Sequence, residues 1–397
     1  MTGKLPGDHL ERQRLLDDLD TTFVVEAAAG TGKTTVLVDR IVALIRRGRA
    51  RLHEIIAVTF TEKAAGEMKL RLRTKLERVR EDDKTPSEEK QRLTAALEEL
   101  EVMRIGTIHG LCADLLRENP VEAGIDPLFE VSAEGESLAL LEAAFERQFQ
   151  ALVAQPPEGV RRALRRRRRG GSTPRLELLG AVRDLVERRD FAAMWRRDPF
   201  RRNEAIDEVV KIVEQFALRR NQVTARRGRA EFLDVFERCF RFVEDLKHRE
   251  GVSPRDYDGL EHQLRELGSG KFDWERRATN VKFDDNVPQH EVINERTATY
   301  NALQRFSRLA DADLSACLHA ELRPIVDSYQ VEKSRAGVLD FVDLLLLTRN
   351  LLRDHQSVRA KLQRAVKHVF VDEFQDTDPL QSEIVLLLSA DDSSVSA

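Results

Sequence analysis

Residues 368–381 read HVFVDEFQDTDPLQ, in which a short apolar run leads directly into an acidic pair, Asp372 and Glu373. The apolar run predicts a buried β-strand, and the acidic pair then lies at the tip of that strand. Carboxylates at a strand tip commonly hold Mg²⁺ and orient an attacking water beside a nucleotide. The stretch therefore predicts one half of a nucleotide-hydrolysing site, and it predicts a phosphate-binding loop elsewhere in the chain.

The required phosphate-binding loop is found at residues 27–35, AAAGTGKTT. It follows the apolar run Phe23–Glu26, which predicts a strand, and it opens a segment with helical periodicity, so strand, loop and helix come in the order that the motif needs. Gly30 and Gly32 let backbone amides converge on a phosphate, and the start of the helix adds partial positive charge. A chance glycine-rich turn is the alternative, and the downstream acidic pair argues against it.

The loop and the acidic pair have distinct expected roles. Lys33 is expected to reach the β- and γ-phosphates, and the Thr34 hydroxyl to bind Mg²⁺ together with Asp372. Glu373 is expected to orient or deprotonate the attacking water. The predicted ATP-binding residues of the loop are Ala27, Ala28, Ala29, Gly30, Thr31, Gly32, Lys33, Thr34 and Thr35.

Two features qualify this interpretation. Ala27 stands where the general phosphate-loop pattern has glycine. The acidic stretch can also be interpreted as a helix start with acidic first-turn residues, and this alternative fits Asp376 and Asp378. It fits Asp372 and Glu373 less well, because a buried strand precedes them.

Strand and helix patterns alternate in residues 22–118, where TFVVEAAA, EIIAVTF and VMRIGTI predict short buried strands. This alternation predicts an α/β fold with a mostly parallel sheet that includes the strand 368–372, and ligands then bind at the carboxyl ends of the strands. Residues 131–337 carry apolar residues at three- and four-residue spacing, which predicts a large inserted all-helical domain. The predicted domains are thus 1–130 with 338–397, and 131–337.

Composition excludes several classes of protein. Charged residues make up 34% of the 397 residues, but the formal net charge is only -4, so global charge does not indicate a nucleic-acid partner. No apolar stretch approaches the roughly 20 residues that cross a bilayer, and a cytoplasmic location is expected. Cys112, Cys239 and Cys317 lack CxxC spacing, so we expect small buried residues rather than a metal site or disulfides.

The motifs AAAGTGKTT, VTFTEKAAGEM, IGTIHGLC, LDFVDLL and VDEFQDTDPLQ, in this order, resemble superfamily 1 DNA helicases of the UvrD/Rep group. Within that group, TIHG at residues 107–110 and the long helical segment look most like the RecB/AddA helicase-nuclease branch. The resemblance implies a RecA-like P-loop NTPase lobe that uses ATP and Mg²⁺. It also implies single-stranded and duplex DNA as partners, a helicase-nuclease partner subunit, and 3′ to 5′ translocation in recombination and repair.

The resemblance implies roles for residues outside the phosphate loop. Gln13, twenty residues before Lys33, matches a glutamine that hydrogen-bonds adenine, although solvated helix surface is the alternative. Gln375 lies in the stretch that couples nucleotide state to DNA binding, and we count it among the catalytic residues. The LDFVDLL motif at residues 339–345 is explained by a helix cap followed by apolar packing, and no chemistry is assigned to it.

The same resemblance implies DNA contacts by Thr59, Phe60, Thr61, Thr107 and His109. An aromatic ring stacks on any base, and hydroxyl and imidazole groups hold phosphates without reading the sequence. Core packing is the alternative for Phe60, which ends an apolar strand, and a structural role is the alternative for His109.

Residues 161–169 read RRALRRRRR, with seven arginines in nine residues. One interpretation is a segment that tracks the phosphate backbone of duplex DNA. The other is a solvated loop of little consequence, as runs of like charge often are.

Only sixteen residues follow Gln381, whereas members of the resembled family continue into a further strand and a second lobe that carries catalytic arginines. We therefore expect an N-terminal portion that binds Mg-ATP but does not unwind DNA alone. A catalytically incomplete ATP- and DNA-binding module is the alternative. A P-loop ATPase of another lineage is disfavoured, because DEFQDT and TFTEKAA occur together in the family's order.

Overall fold

The computed structural model of the chain describes residues 9–28, 30–101, 103–166, 173–191, 193, 195, 197–226, 233–270, 274–275, 281–283 and 287–390. This part is mostly helical, with small sheets. It forms two compact units. The first comprises residues 1–137 and 333–397, and the second comprises residues 138–332.

Helices account for most of the described residues. In chain order they are α1 (His9–Asp17), α2 (Lys33–Arg46), α3 (Glu62–Glu81), α4 (Ser87–Glu98), α5 (Ile108–Glu118), α6 (Pro120–Ala123), α7 (Glu134–Ala154), α8 (Glu158–Arg165), α9 (Pro174–Glu187), α10 (Arg202–Leu218), α11 (Leu233–Glu250), α12 (Tyr257–Gly268), α13 (Gln289–Ala336), α14 (Phe341–Asp354), α15 (Gln356–Ala365) and α16 (Pro379–Ser389). The strands are β1 (Ile55–Thr59), β2 (Arg104–Thr107), β3 (Glu130–Val131), β4 (Val223–Arg226), β5 (Val281–Phe283), β6 (Val338–Leu339) and β7 (His368–Val371).

The main sheet of the first unit is parallel, with the strand order β2-β1-β7. Thr59 at the end of β1 is paired with Thr107 at the end of β2, and Val58 with Val371 at the end of β7. The carboxyl ends of the three strands therefore meet at one edge of the sheet. The parallel sheet predicted from the sequence is confirmed for these strands.

The central strand β1 is buried on both faces, as its unbroken apolar sequence IIAVT predicts. Ile55 and Ala57 belong to a core formed with α2, α3 and α4. Ile56 and Val58 belong to a second core formed with α5, α14, α15 and α16. Because successive side chains of a strand point to opposite faces, one short strand anchors both helical layers.

The strand predicted at Phe23–Glu26 is not formed. Residues 22–28 carry no strand, and the Val24 side chain is 93% exposed. A strand requires a neighbour for its ladder of hydrogen bonds, and no described strand pairs with this segment. Arginine contacts hold it instead, since the Arg40 guanidinium donates to the Thr21 carbonyl oxygen at 2.9 Å and lies over the Phe23 ring.

The second unit is built from helices around two cores. One core joins α10, α11, α12 and part of α13, where the rings of Phe216 and Phe236 stack with centroids 4.5 Å apart. The other joins α7, α8, α9 and a later part of α13. Strands β4 and β5 pair antiparallel beside the first core, so the prediction of an all-helical segment at 131–337 is wrong in this respect. These strands are too short to show a two-residue periodicity in the sequence.

The arginine-rich stretch contributes to the interior of the second unit. Arg162 on α8 is fully buried, and its guanidinium donates to Glu261 at 2.9 Å and to Asp313 at 2.6 Å. Arg166 contacts Glu261 as well, at 2.9 Å. Neither sequence interpretation fits these two residues, which hold α8 against α12 and α13 through buried ion pairs. Arg167, Arg168 and Arg169 lie outside the described residues.

Two smaller sequence expectations can be checked. Cys112, Cys239 and Cys317 are free and buried, as predicted, and burial raises the pKa of the Cys112 thiol to about 12. Among the helices that the structure describes, none combines the length and the apolarity that crossing a membrane requires.

A buried charge cluster fixes the start of α14. The Asp340 side chain accepts from the Asp343 amide at 2.9 Å, and the Asp343 side chain accepts from the Asp340 amide at 3.1 Å. This reciprocal cap confirms the helix start predicted for LDFVDLL. The ammonium group of Lys333, whose side chain is 1% exposed, donates to Asp340 at 2.7 Å and also to Asp343.

Replacing Lys333 by methionine is expected to lower the free energy of unfolding by about 3–5 kcal/mol, because two buried carboxylates lose the cation that both contact. Urea denaturation measures the change. Lys367→Met is the matched control: its half-exposed ammonium group contacts Glu54 at 2.9 Å, and its loss should cost less than about 1 kcal/mol. Equal destabilisation by the two substitutions would contradict the role given to Lys333.

Candidate functional site

The phosphate-binding loop adopts a conformation that requires glycine at two positions. Gly30 has φ +77° and Gly32 has φ +88°, both in the left-handed region. Between them, Thr31 folds back, and its hydroxyl donates to the Ala28 carbonyl oxygen at 2.7 Å. Gly32 is also the N-cap of α2, and it has no side chain to accept from the amides of the first helical turn. Those amides and the helix dipole are thus suited to an anionic ligand.

The acidic pair continues directly from β7. The Asp372 amide donates to the Val58 carbonyl oxygen at 2.9 Å, which extends the pairing with β1 by one residue. Glu373 then has φ +56°, and among the described residues it is the non-glycine residue in the left-handed region. Such a conformation costs on the order of 1–2 kcal/mol and is frequent at functional sites. The turn directs the two carboxylates differently, although they are adjacent in sequence.

The two halves of the predicted site are in contact. The Thr34 hydroxyl donates to Asp372 Oδ2 at 2.9 Å, and Lys33 Nζ lies 3.4 Å from Glu373 Oε2. The fold brings these groups together from opposite ends of the chain, because α2 and β7 belong to the same unit. The hydroxyl and carboxylate oxygens form a hard donor set, which suits Mg²⁺, beside amides that suit phosphate.

Gln375 also belongs to this cluster, since its amide group donates to the Glu373 carboxylate. This hydrogen bond lowers the pKa of Glu373 below its usual value, and the nearby Lys33 ammonium adds to the effect. Glu373 is therefore ionised at neutral pH, which is the state that a hydrogen-bond acceptor for water requires.

Residues on either side of the loop are placed differently. Gln13 lies on α1, and its amide donates to Asp17 at 2.9 Å, one turn further along the same helix. The neighbouring Arg12 reaches the loop instead, and donates to the Thr31 carbonyl oxygen at 2.8 Å. Sequence reasoning missed Arg12, because no periodicity or motif distinguishes it. Ala29 lies outside the described residues, whereas Ala27, Ala28 and Thr35 are described.

The residues predicted to contact DNA lie at the ends of β1 and β2. The Thr61 hydroxyl accepts from the Ala64 amide at 3.1 Å and caps α3, and the Thr107 hydroxyl accepts from the Gly110 amide at 3.1 Å and caps α5. The Thr59 hydroxyl donates to the Thr61 carbonyl oxygen at 3.0 Å. Phe60 is 61% exposed, so core packing is excluded for it.

His109 and Phe341 form an aromatic pair near these strand ends. Their ring centroids are 5.2 Å apart with an interplanar angle of 68°. Burial lowers the pKa of His109 below its usual value, so its imidazole is mainly neutral at pH 7. Phe341 is half-exposed. The sequence indicated apolar packing at this position and did not distinguish Phe341 as a surface aromatic.

Comparison with known proteins agrees with this arrangement. The model of the UvrD/REP helicase N-terminal domain matches residues 9–396. The chain belongs to this family. The resemblance of its motifs to UvrD/Rep helicases is thereby confirmed.

Relatives of this UvrD/REP-type chain are named as ATP-dependent helicase/nuclease subunits of the AddA type. The protein from Ligilactobacillus salivarius is 24% identical over 95% of the chain and 33% of its own length. The proteins from Anoxybacillus flavithermus and Syntrophomonas wolfei are 27% and 26% identical, over 93% and 96% of the chain and 33% and 32% of their own lengths. The chain thus spans about a third of the length of these relatives, and its similarity to the AddA type is confirmed.

Proposed function

We propose that the chain is the ATP-binding part of an ATP-dependent DNA helicase or translocase that acts in recombination and repair. The observation that carries the proposal is the contact of Lys33 and Thr34 with Glu373 and Asp372. Membership of the UvrD/REP family supports DNA as the track, and the names of the relatives support a helicase-nuclease assembly.

In this proposal the phosphate loop binds the phosphates of ATP through residues 27–35. The amides around Gly30 and Gly32 and the first turn of α2 donate to phosphate oxygens. Lys33 exchanges its contact with Glu373 for the β- and γ-phosphates, which leaves the Glu373 carboxylate available to water. Gln13 binds the adenine edge after its amide leaves Asp17.

Thr34 and Asp372 are the residues that would hold Mg²⁺, through oxygens that are 2.9 Å apart. When bound there, the ion neutralises charge on the phosphates. Glu373 accepts the proton of the water that attacks the γ-phosphorus, while the bond to the leaving oxygen of ADP breaks. Gln375 keeps Glu373 oriented and ionised through its hydrogen bond.

Single-stranded DNA would lie across the ends of β1 and β2. The exposed ring of Phe60 is suited to stack on a base, and the half-exposed Phe341 beside His109 offers a second aromatic surface. Backbone phosphates would be contacted by Thr59, Thr61, Thr107 and His109. These contacts read no base edges, as a translocase requires.

Further parts of the proposal rest on the resemblance. We propose that residues 138–332 correspond to the inserted domain, that duplex DNA contacts it, and that translocation runs 3′ to 5′ with a partner subunit present. The alternative is a catalytically incomplete ATP- and DNA-binding module, which the short span relative to the relatives favours. ATP turnover that DNA stimulates distinguishes the two.

Lys33→Ala is expected to weaken binding of a fluorescent ATP analogue about 10- to 100-fold, because charge-assisted hydrogen bonds to phosphate contribute roughly 1.5–3 kcal/mol. A fluorescence titration in the presence of Mg²⁺ measures the dissociation constant. Lys367→Ala removes a lysine that contacts Glu54 instead, and it should bind like the wild type. Equal affinity of wild type and Lys33→Ala would rule out the proposed site.

Glu373→Gln is expected to keep nucleotide affinity within about threefold but to lower the rate of ATP hydrolysis about 10²- to 10⁴-fold, because the amide cannot accept the proton from water. Phosphate release with and without single-stranded DNA measures the rate. Glu54→Gln, remote from the loop, is the control. A wild-type chain that binds ATP but never hydrolyses it, with or without DNA, would favour the incomplete module.

A further inference from the structure

Helix α1 is held in place by polar contacts rather than by burial. None of its nine residues, His9–Asp17, is buried. Arg47 on α2 donates to the Asp17 carboxylate at 2.7 Å and to the Asp17 carbonyl oxygen at 3.0 Å, and Arg40 donates to the Asp18 carbonyl oxygen at 2.7 Å. A helix this short is marginal in isolation. Its docking therefore depends on a few hydrogen bonds and is sensitive to the loss of any one of them.

Arg12 connects this helix to the phosphate loop. Its guanidinium donates to the Thr31 carbonyl oxygen at 2.8 Å, and it lies 3.7 Å from the point where a Cβ on Gly32 would stand. The guanidinium therefore contacts the turn that immediately precedes Lys33. Gln13, the next residue, points along the helix toward Asp17 instead.

The hydrogen bond to Thr31 controls the direction of an amide in the loop. In a planar trans peptide, the carbonyl of Thr31 and the N–H of Gly32 point in opposite directions. Glycine at position 32 tolerates many backbone conformations, so this peptide can rotate at little cost. A fixed donor on the carbonyl side opposes that rotation and keeps the Gly32 amide directed away from α1.

We propose that Arg12 is a positioning residue for the phosphate loop, through which nucleotide binding and the docking of α1 are coupled. This inference rests on the proposed function of the same site. Arg12 holds the Thr31–Gly32 peptide in the orientation that a phosphate oxygen needs, and its charge adds to the attraction of the loop for phosphate. By thermodynamic reciprocity, a phosphate bound in the loop stabilises the docked helix.

The test compares Arg12→Ala with Arg14→Ala. Arg14 lies on the same helix but contacts the Phe23 ring, so its replacement makes the same change in helix propensity without touching the loop. Fluorescent ADP with Mg²⁺ is titrated into each protein. Arg12→Ala should bind about 5- to 20-fold more weakly than the wild type, as expected for one lost hydrogen bond of roughly 1–2 kcal/mol. Arg14→Ala should stay within twofold.

Hydrogen exchange provides a second readout that weaker binding alone would not change. At saturating ADP, the amides of α1 should exchange more slowly in the wild type than without nucleotide, and this protection should be absent in Arg12→Ala. Unchanged ADP affinity in Arg12→Ala, or full protection of α1 in that variant, overturns the inference alone. A wild-type chain that binds no ADP overturns the proposed function and this inference together.

Discussion

The hydrogen bond from the Thr34 hydroxyl to the Asp372 carboxylate is the interaction on which the site depends, and it joins residues that are 338 positions apart in sequence. It forms because the parallel pairing of β7 with β1 ends one residue before Asp372, while α2 packs on the core to which Ile55 and Ala57 of β1 belong. The short, fully buried strand β1 thus determines the position of both halves of the site. Parallel sheets concentrate chemistry at their carboxyl ends for this reason, since loops from strands distant in sequence meet there.

Residues that act through local conformation could be predicted from the sequence. The two glycines at positions 30 and 32 indicate a left-handed turn before a helix, and the apolar run of β1 indicates a strand buried on both faces. The segment Phe23–Glu26 could not be predicted in this way, although it is as apolar as β1. Strand formation depends on a neighbour that completes the hydrogen-bond ladder, and local composition carries no information about that neighbour. The exposure of Phe60 is similar, because the strand pattern does not show where burial ends.

Long-range charge pairing is the other feature that sequence could not supply. The run at residues 161–169 indicates surface charge, but Arg162 is buried against Glu261 and Asp313, which lie 99 and 151 residues away. Lys333 likewise meets Asp340 and Asp343 in the interior. Buried ion pairs of this kind need the geometry of several helices at once, so they follow from the fold and do not predict it. Arg12 belongs to the same class of contact, on the surface of the site.

A double-mutant cycle between Thr34 and Asp372 tests the central claim most directly. The dissociation constant of a fluorescent ATP analogue is measured with Mg²⁺ and with EDTA for wild type, Thr34→Val, Asp372→Asn and the double variant. If the two residues hold one Mg²⁺ between the loop and β7, the Mg²⁺-dependent part of the affinity is lost in either single variant. The double variant then loses little more, and the coupling free energy is about 1 kcal/mol or larger. Fully additive effects, or the same Mg²⁺ dependence in all four proteins, would contradict a shared site.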